Sequence, residues 1–365
     1  MIKFVDLKAQ YNSIKGEVDN AIKDVLESAS FILGENLKGF ENEFAGFCSA
    51  KYCIGLNTGT SALHLALLAK GISKGDEVIT TPNTFIATCE AISYTGAIPK
   101  LVDIDKETYN ISIEKLRKSI TPKTKAVIPV DLYGQPADMK EVMEIAEKHN
   151  LAVIEDACQA HGAEHYKKRV PVADTGCFSF YPAKNLGAYG EGGAIVTNDK
   201  EVNEIARAYR DHGQVNRHVH KYIGYNYRLE EIQAAVLKVK LRHLEKWIEM
   251  RRKNARIYDE MLEGCDAVKP VEMEYNKHVY HLYVIRVKQR QKLMKHLNSK
   301  GIQTAIHYPT PIHLQDAYSY LGCKKGSFPI AEKCVEEILS LPMYPELKQE
   351  DIEFVAKSIK EFLAK

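Results

Sequence analysis

The chain has 365 residues, 45% hydrophobic and 27% charged, with 50 Lys and Arg against 48 Asp and Glu for a formal net charge of +2. That length asks for about two domains, and the balanced charge excludes a protein that acts through a global field on nucleic acid or on an acidic membrane. No run of roughly 18 apolar residues occurs, and MIKFVDLKAQ lacks the basic-then-apolar pattern of an export signal, so a cytoplasmic protein is expected. The eight cysteines are scattered without a CxxC pair, which favours small buried hydrophobes over a zinc site.

From residue 52 to about 197, short apolar runs alternate with helical patterns, predicting an α/β domain whose crossover helices cover a mostly parallel, seven-stranded sheet. Strands are predicted at Tyr52–Leu56, Glu77–Thr81, Lys100–Asp103, Ala126–Asp131, Leu151–Glu155, Cys177–Phe180 and Ala194–Thr197. Helices are predicted between them at Ser61–Ala69, Phe85–Tyr94, Ile113–Ile120 and Met139–His149. Asp103, Asp105, Asp131, Glu155 and Asp156 close several strands, at the edge where open α/β sheets bind ligands. Beyond Arg228, Leu229, Ile232, Val236 and Val239, followed by Leu241, Leu244 and Ile248, predict one long helix able to bridge two domains. A strand (Val279–Val287), a helix (Gln289–Ser299) and an amphipathic helix bearing Ile352, Val355, Ile359 and Leu363 complete a smaller α+β domain. The division is a large domain over 1–240 and a small one over 241–365, packed firmly because no flexible linker joins them.

Four segments carry chemistry. In NTGTSALHLALLA (57–69) a turn of small and hydroxyl residues opens an apolar helix, and free N–H groups there bind phosphate; Gly59, Thr60 and Ser61 are the candidates, an ordinary capping turn the alternative. TTPNTFIAT (80–88) sets Phe85 past a strand end, where an aromatic stacks on a planar ligand or simply joins the core. VIEDACQAHGA (153–163) ends an apolar run in two carboxylates. Asp156 there suits a pyridinium nitrogen, with Gln159 and His161 within reach of a ring hydroxyl or substrate; a helix N-cap and solvent-facing polarity are the competing readings. In CFSFYPAKNLGAYGEGGAIV (177–196), Lys184 lies in an apolar, glycine-rich setting that lowers a lysine pKa and lets a flat ring approach, while Ser179 adds a hydroxyl. Alone, Lys184 reads rather as one loop lysine among many. Together the four describe a site for a flat, phosphorylated aldehyde, pyridoxal 5'-phosphate (PLP).

These motifs, with VDLYGQPADM, GYNYRLEEIQAAVL and GIQTAIHYPTPIHLQ, resemble in order the DegT/DnrJ/EryC1/StrS sugar-nucleotide aminotransferases of PLP fold type I, across nearly the whole chain. The resemblance implies Lys184 as the Schiff-base amine, Asp156 on the pyridine nitrogen, Gln159 near the ring hydroxyl, and Gly59, Thr60 and Ser179 on the phosphate. Phe85 would stack on the ring. Asn226 would reach the phosphate of a neighbouring subunit, which implies a homodimer with shared active sites. Arg228, His307 and Tyr308 would contact the nucleotide, with His313 beside them; a helix cap for Arg228 and satisfied loop imidazoles for His307 and His313 compete. FYPAKNLGAYGEGG and HYPTPIHLQ look like members that aminate C3 of a keto sugar, and RHVHKYIGYNYR looks most like those acting on UDP-linked 3-keto N-acetylglucosamine or its uronate. Alternatives are a dTDP-linked 3-keto-6-deoxyhexose, a C4-aminating member, a PLP lyase or dehydratase, and a PLP-binding regulatory protein without turnover. The expected cycle is ping-pong, with glutamate as amino donor and Lys184 as the base.

Overall fold

A computed structural model describes residues 1–364. Two helices come first, α1 (Leu7–Ser28) and α2 (Glu35–Phe47), ahead of the predicted alternation. Then follow β1 (Tyr52–Leu56), α3 (Gly59–Ala69), β2 (Glu77–Thr80), α4 (Ala87–Tyr94), β3 (Ile98–Leu101), α5 (Ile113–Ser119), β4 (Thr124–Val127), α6 (Met139–His149), β5 (Ala152–Val153) and β6 (Glu155–Asp156). A hairpin of β7 (Glu164–His165) and β8 (Lys168–Arg169) precedes β9 (Thr175–Ser179), β10 (Gly193–Thr197) and α7 (Lys200–Arg210). A second hairpin, β11 (Gln214–Asn216) and β12 (Val219–His220), leads to α8 (Glu231–Leu241) and α9 (Leu244–Met261). The chain closes with β13 (Asn276–Lys277), β14 (Tyr283–Arg286), α10 (Arg290–Ser299), α11 (Pro329–Glu337), β15 (Ile338–Leu341) and α12 (Gln349–Leu363).

The main layer consists of two four-stranded groups, β3-β2-β4-β5 and β1-β10-β9-β6. They join because β5 and β6 belong to one run, Ala152 to Asp156, and because Val130 pairs in parallel with Asp156. Counting that run once gives the mostly parallel, seven-stranded sheet that the sequence predicts. Only β10 runs antiparallel to its neighbours. Both faces are covered, so alternate residues of one strand enter different cores: Ile54, Cys177 and Ile195 pack under α3, while Cys53, Phe178, Ala194 and Val196 pack against Phe40, Phe44, Leu237 and Leu241. This two-sided burial is why the strands read as continuous apolar runs.

The single long helix expected after Arg228 is in fact two. At the break His243 N–H bonds back to Lys240 O at 3.0 Å, a tight turn between α8 and α9. Leu237, Leu241, Leu244 and Ile248 all enter the same core, so the apolar spacing runs on through a break that it does not mark. The N-terminal segment is also tied far along the chain, with Ile2 bridging Ile302 and sharing a core with α10, α12 and β14.

Buried charge pins the N-terminal helices to the sheet. The Glu231 carboxylate, from α8, accepts the N–H groups of Gly34, Asn36 and Leu37 at 2.8–3.0 Å and so caps α2 from another element. Glu41 accepts from Gly55 N–H at 2.8 Å and pairs with Arg207 at 2.8 Å and Arg210 at 2.7 Å. Removing that carboxylate strands Arg210, which is only 7% exposed. Glu41→Ala is therefore expected to cost about 3–5 kcal/mol in denaturant unfolding, the loss typical of a broken buried pair; a loss near the surface-pair range of about 1 kcal/mol would contradict it.

Candidate active site

The carboxyl ends of β1, β2, β6 and β9 open on one cavity of about 590 Å³. From the end of the β1–α3 turn and the start of α3 it receives Thr58, Gly59 and Thr60; from beyond β2, Thr84, Phe85 and Thr88; from the end of β6 and beyond, Asp156, Cys158 and Gln159. The end of β9 and the segment after it supply Ser179, Tyr181 and Lys184, and the C-terminal region adds His281, His307 and Tyr308. Phe4 and Val5 close one wall. A groove of about 640 Å³ between α6 and the β7–β8 hairpin gathers none of the predicted site residues.

Each group is placed by local chemistry. Thr58 caps α3: its hydroxyl accepts the Ser61 N–H at 2.9 Å, and Ser61 Oγ accepts the Thr58 N–H at 3.1 Å. Ser61 is thus used in the cap, while the N–H groups of Gly59 and Thr60, at the helix start, border the cavity. Gly59 leaves no room for a side chain, since a Cβ would lie 2.8 Å from Ser179 Cβ and 2.9 Å from Cys158 Sγ. Asp156 is 4% exposed; its carboxylate accepts the Thr88 hydroxyl at 2.8 Å and the Cys158 N–H at 3.3 Å. Gln159 accepts the Tyr133 N–H at 2.8 Å and donates to Tyr308 Oη at 3.4 Å.

Lys184 projects into this setting from the tight segment after β9, where its N–H bonds Tyr181 O at 2.9 Å. Desolvation lowers its ammonium pKa below the ordinary lysine value, against the opposing pull of Cys158 and Asp156. The imidazoles nearby are held neutral in the same way: burial takes His161 to about 3 and His307 to about 4, with Lys184 adding to both shifts. His307 bonds Ser340 Oγ at 2.9 Å and stacks on Phe4 at 5.6 Å. His161 stays out of the cavity, fully buried against Phe178 and Phe180.

Nine of the residues singled out in the sequence therefore meet: Gly59, Thr60, Phe85, Asp156, Gln159, Ser179, Lys184, His307 and Tyr308. Three do not. His313 is buried away from the cavity, bonded to Glu332 at 3.0 Å and packed edge-on to Phe328. Arg228 pairs with Asp211 at 2.8 Å, and the exposed Asn226 bridges the backbone of the same Asp211, both outside the cavity of their own chain. Residues the sequence did not single out include Thr88, Cys158, His281, Phe4 and Val5. Thr88 stands one helical turn after Phe85 in the same motif, a readable signal; the others reach the site only through the fold.

Behind the cavity, Asp131 and Glu155 are both fully buried. Asp131 accepts the Ala137 N–H at 3.0 Å and Glu155 those of Val172 at 2.6 Å and Ala173 at 2.9 Å. Burial raises both carboxyls, and the neighbouring Glu155 charge raises Asp131 further, so the pair keeps a proton to higher pH than ordinary carboxyls do. A raised native pKa means a proton bound in the folded chain and released on unfolding. Stability from it is full below the ordinary carboxyl pKa of about 4 and declines as pH rises toward the native value. Asp131→Asn keeps a donor for Glu155 without that proton, and should flatten the fall of the melting midpoint from about pH 4 upward; an unchanged slope would count against the shared proton.

The cavity suits PLP on its own terms: N–H groups and a hydroxyl at Gly59, Thr60 and Ser179 for a phosphate, a buried carboxylate at Asp156 for a ring nitrogen, and a desolvated amine at Lys184 for an aldehyde. Residues 12–360 match the DegT/DnrJ/EryC1/StrS aminotransferase family. The chain belongs to that family. It is accordingly a PLP-dependent sugar aminotransferase, an enzyme of the family whose motifs the sequence displays. A dTDP-3-amino-3,4,6-trideoxy-alpha-D-glucose transaminase of Streptomyces venezuelae is 42% identical over 99% of this chain and 96% of its own. A UDP-N-acetyl-3-dehydro-alpha-D-glucosamine 3-aminotransferase of Acidithiobacillus ferrooxidans is 43% identical over 99% and 98%. Among solved structures, S. venezuelae DesV in complex with a ketimine intermediate superposes with a TM-score of 0.98 at 41% identity, covering 100% of this chain and 99% of that one. No helix among the described residues is long and apolar enough to cross a membrane.

Proposed function

We propose that this DegT/DnrJ/EryC1/StrS aminotransferase moves the amino group of glutamate to C3 of a nucleotide-linked 3-keto sugar, with a UDP-linked N-acetylhexosamine or its uronate as the first candidate. The observation that carries the reading is the convergence of Lys184, Asp156 and the α3 N-terminus on one cavity. The two sugar-nucleotide relatives described above carry the amine at C3 in their names although their carriers differ, which supports the position more than the carrier. A dTDP-linked 3-keto-6-deoxyhexose is the second reading, favoured by the apolar wall of Phe4 and Val5, which offers nothing to a sugar carboxylate.

When bound, the cofactor withdraws electrons from the carbon that loses its proton. Lys184 supplies the amine that holds it and, once freed, the base that carries the proton between donor and cofactor carbons. Asp156, anchored by Thr88, would keep the ring nitrogen protonated. Gly59, Thr60 and Ser179 would hold the phosphate, with Gln159 for the ring hydroxyl and Phe85 for the ring face. His307 and Tyr308 border the nucleotide. Among the described residues Lys184 is the only lysine or arginine on the cavity wall, whereas glutamate and a sugar diphosphate are both anionic. Arg228 of a second copy would add the positive charge and its Asn226 an amide donor to the phosphate, and the exposed Val215, Val219 and Ile223 beside them give the second copy an apolar seat.

The test runs the reaction backwards, with a panel of UDP-, dTDP- and GDP-linked amino sugars and 2-oxoglutarate, reading glutamate release. UDP-linked 3-amino sugars should react fastest. Preference for 4-amino sugars would overturn the C3 assignment, and preference for the dTDP series would overturn the carrier.

A further inference from the structure

Lys240 has no part in the chemistry described so far, yet it is one of the most buried charged residues in the protein, at 1% exposure. It lies on α8, on the face of the sheet that carries the core of Phe178, Phe180 and Leu237, and it points at the segment that carries Lys184. Its Nζ donates to Gly187 O at 2.6 Å and stands 4.3 Å above the ring of Tyr189. No carboxylate lies within ion-pair distance among the described residues; Glu346 acts on it only from farther away. Burial brings its pKa down to about 7. A methionine or leucine here would fill the same space without that desolvation cost, so the contacts of the amine set this residue apart from ordinary packing.

The acceptor is what gives the contact its meaning. Gly187 closes the turn that begins at Phe180: Lys184 N–H bonds Tyr181 O at 2.9 Å, Ala188 N–H bonds Phe180 O at 2.8 Å, and Phe180 N–H bonds Gly192 O at 2.7 Å. Gly187 is packed so closely on the Pro182 carbonyl that a Cβ would clash with it. Within the turn, the Asn185 amide donates to Val279 O at 3.1 Å. The loop is thus held at two points just after the reactive lysine, at Gly187 by a side chain that reaches its backbone and at Asn185 by a side chain that leaves from it.

We propose that Lys240 is a positioning residue for Lys184: by holding the Gly187 carbonyl it sets the turn from which the reactive amine meets its cofactor. This rests on Lys184 being the cofactor lysine. The step concerned is condensation of the Lys184 amine with the cofactor aldehyde, forming one C=N bond and releasing one water; Lys240 neither gains nor loses a bond in it. Misplacing an amine by an ångström costs up to about 100-fold in such a reaction.

The experiment adds PLP to full-length apoprotein and follows the absorbance of the lysine-linked cofactor, alongside thermal unfolding, in the wild type, Lys240→Met and Lys240→Gln. Lys240→Met should melt at or above the wild-type midpoint, since a buried amine is gone, yet link the cofactor at least about 10-fold more slowly. Lys240→Gln, which keeps a donor, should link within about threefold of wild type. A wild-type rate in Lys240→Met overturns the inference, and so does a Lys240→Gln protein as slow as Lys240→Met. If Lys240→Met does not fold, Lys240→Leu takes its place with the same two outcomes. Failure of the underlying assignment looks different: Lys184→Ala would then retain the absorbance that the wild type shows.

Discussion

Lys184→Ala is expected to lose at least about 10⁴-fold in turnover, the combined effect of removing a covalent attachment point and a general base. The fold should survive, because the side chain projects into a cavity and its backbone N–H bond to Tyr181 O does not involve the amine. The variant should bind PLP without the absorbance of a lysine-linked cofactor, and borohydride should fix no label to the protein. The lowered pKa of Lys184 adds a pH signature. Desolvation favours the neutral amine, so the reactive form is lost as pH falls through that depressed value, and the acid limb for linking PLP to the apoprotein should lie below the pH of an ordinary lysine. A Lys184→Ala protein with ordinary turnover would remove the basis of the assignment.

Asp156→Asn is expected to cost about 10²–10³-fold in kcat, the range for losing one preorganised electrostatic group at a reacting centre. The substitution is nearly isosteric. The Asn carbonyl oxygen can still accept the Cys158 N–H, and its NH2 can donate to the Thr88 hydroxyl oxygen in place of accepting from it, so melting behaviour and the covalent link through Lys184 should persist. What disappears is the charge that keeps a pyridine nitrogen protonated. The variant should therefore separate the two roles, linking cofactor at a normal rate while moving protons slowly in both half-reactions. Single-turnover measurements with glutamate read this directly, and an unimpaired rate would assign Asp156 to structure alone.

Much of the site was legible because each of its strongest signals lies within one short segment. Lys184 with its glycines, Asp156 at the end of an apolar run, and Gly59 at a helix start each carry their chemistry in a window of a dozen residues. The fold then only has to bring strand ends to one edge, which parallel pairing does by its nature. Contacts between distant segments were not legible. Phe4 meets His307, and His281 enters the cavity from a run that reads simply as strand. The break between α8 and α9 was hidden because Leu241 and Leu244 keep apolar spacing across it. His313 misled for the converse reason: it belongs to a segment that does reach the site, but its imidazole turns back to Glu332.

The wall formed by Phe4 has a consequence for biosynthesis. Phe4 is fixed by Gln303, whose side chain accepts its N–H at 3.1 Å, and by its stacking on His307. A nascent chain thus carries an early-made wall residue whose support is synthesised some three hundred positions later. The phosphate turn, Asp156 and Lys184 emerge well before that, as an open shelf on the sheet. The enclosed pocket comes into being only when Gln303, His307 and Tyr308 have left the ribosome, which places stable cofactor capture late in the life of the growing chain.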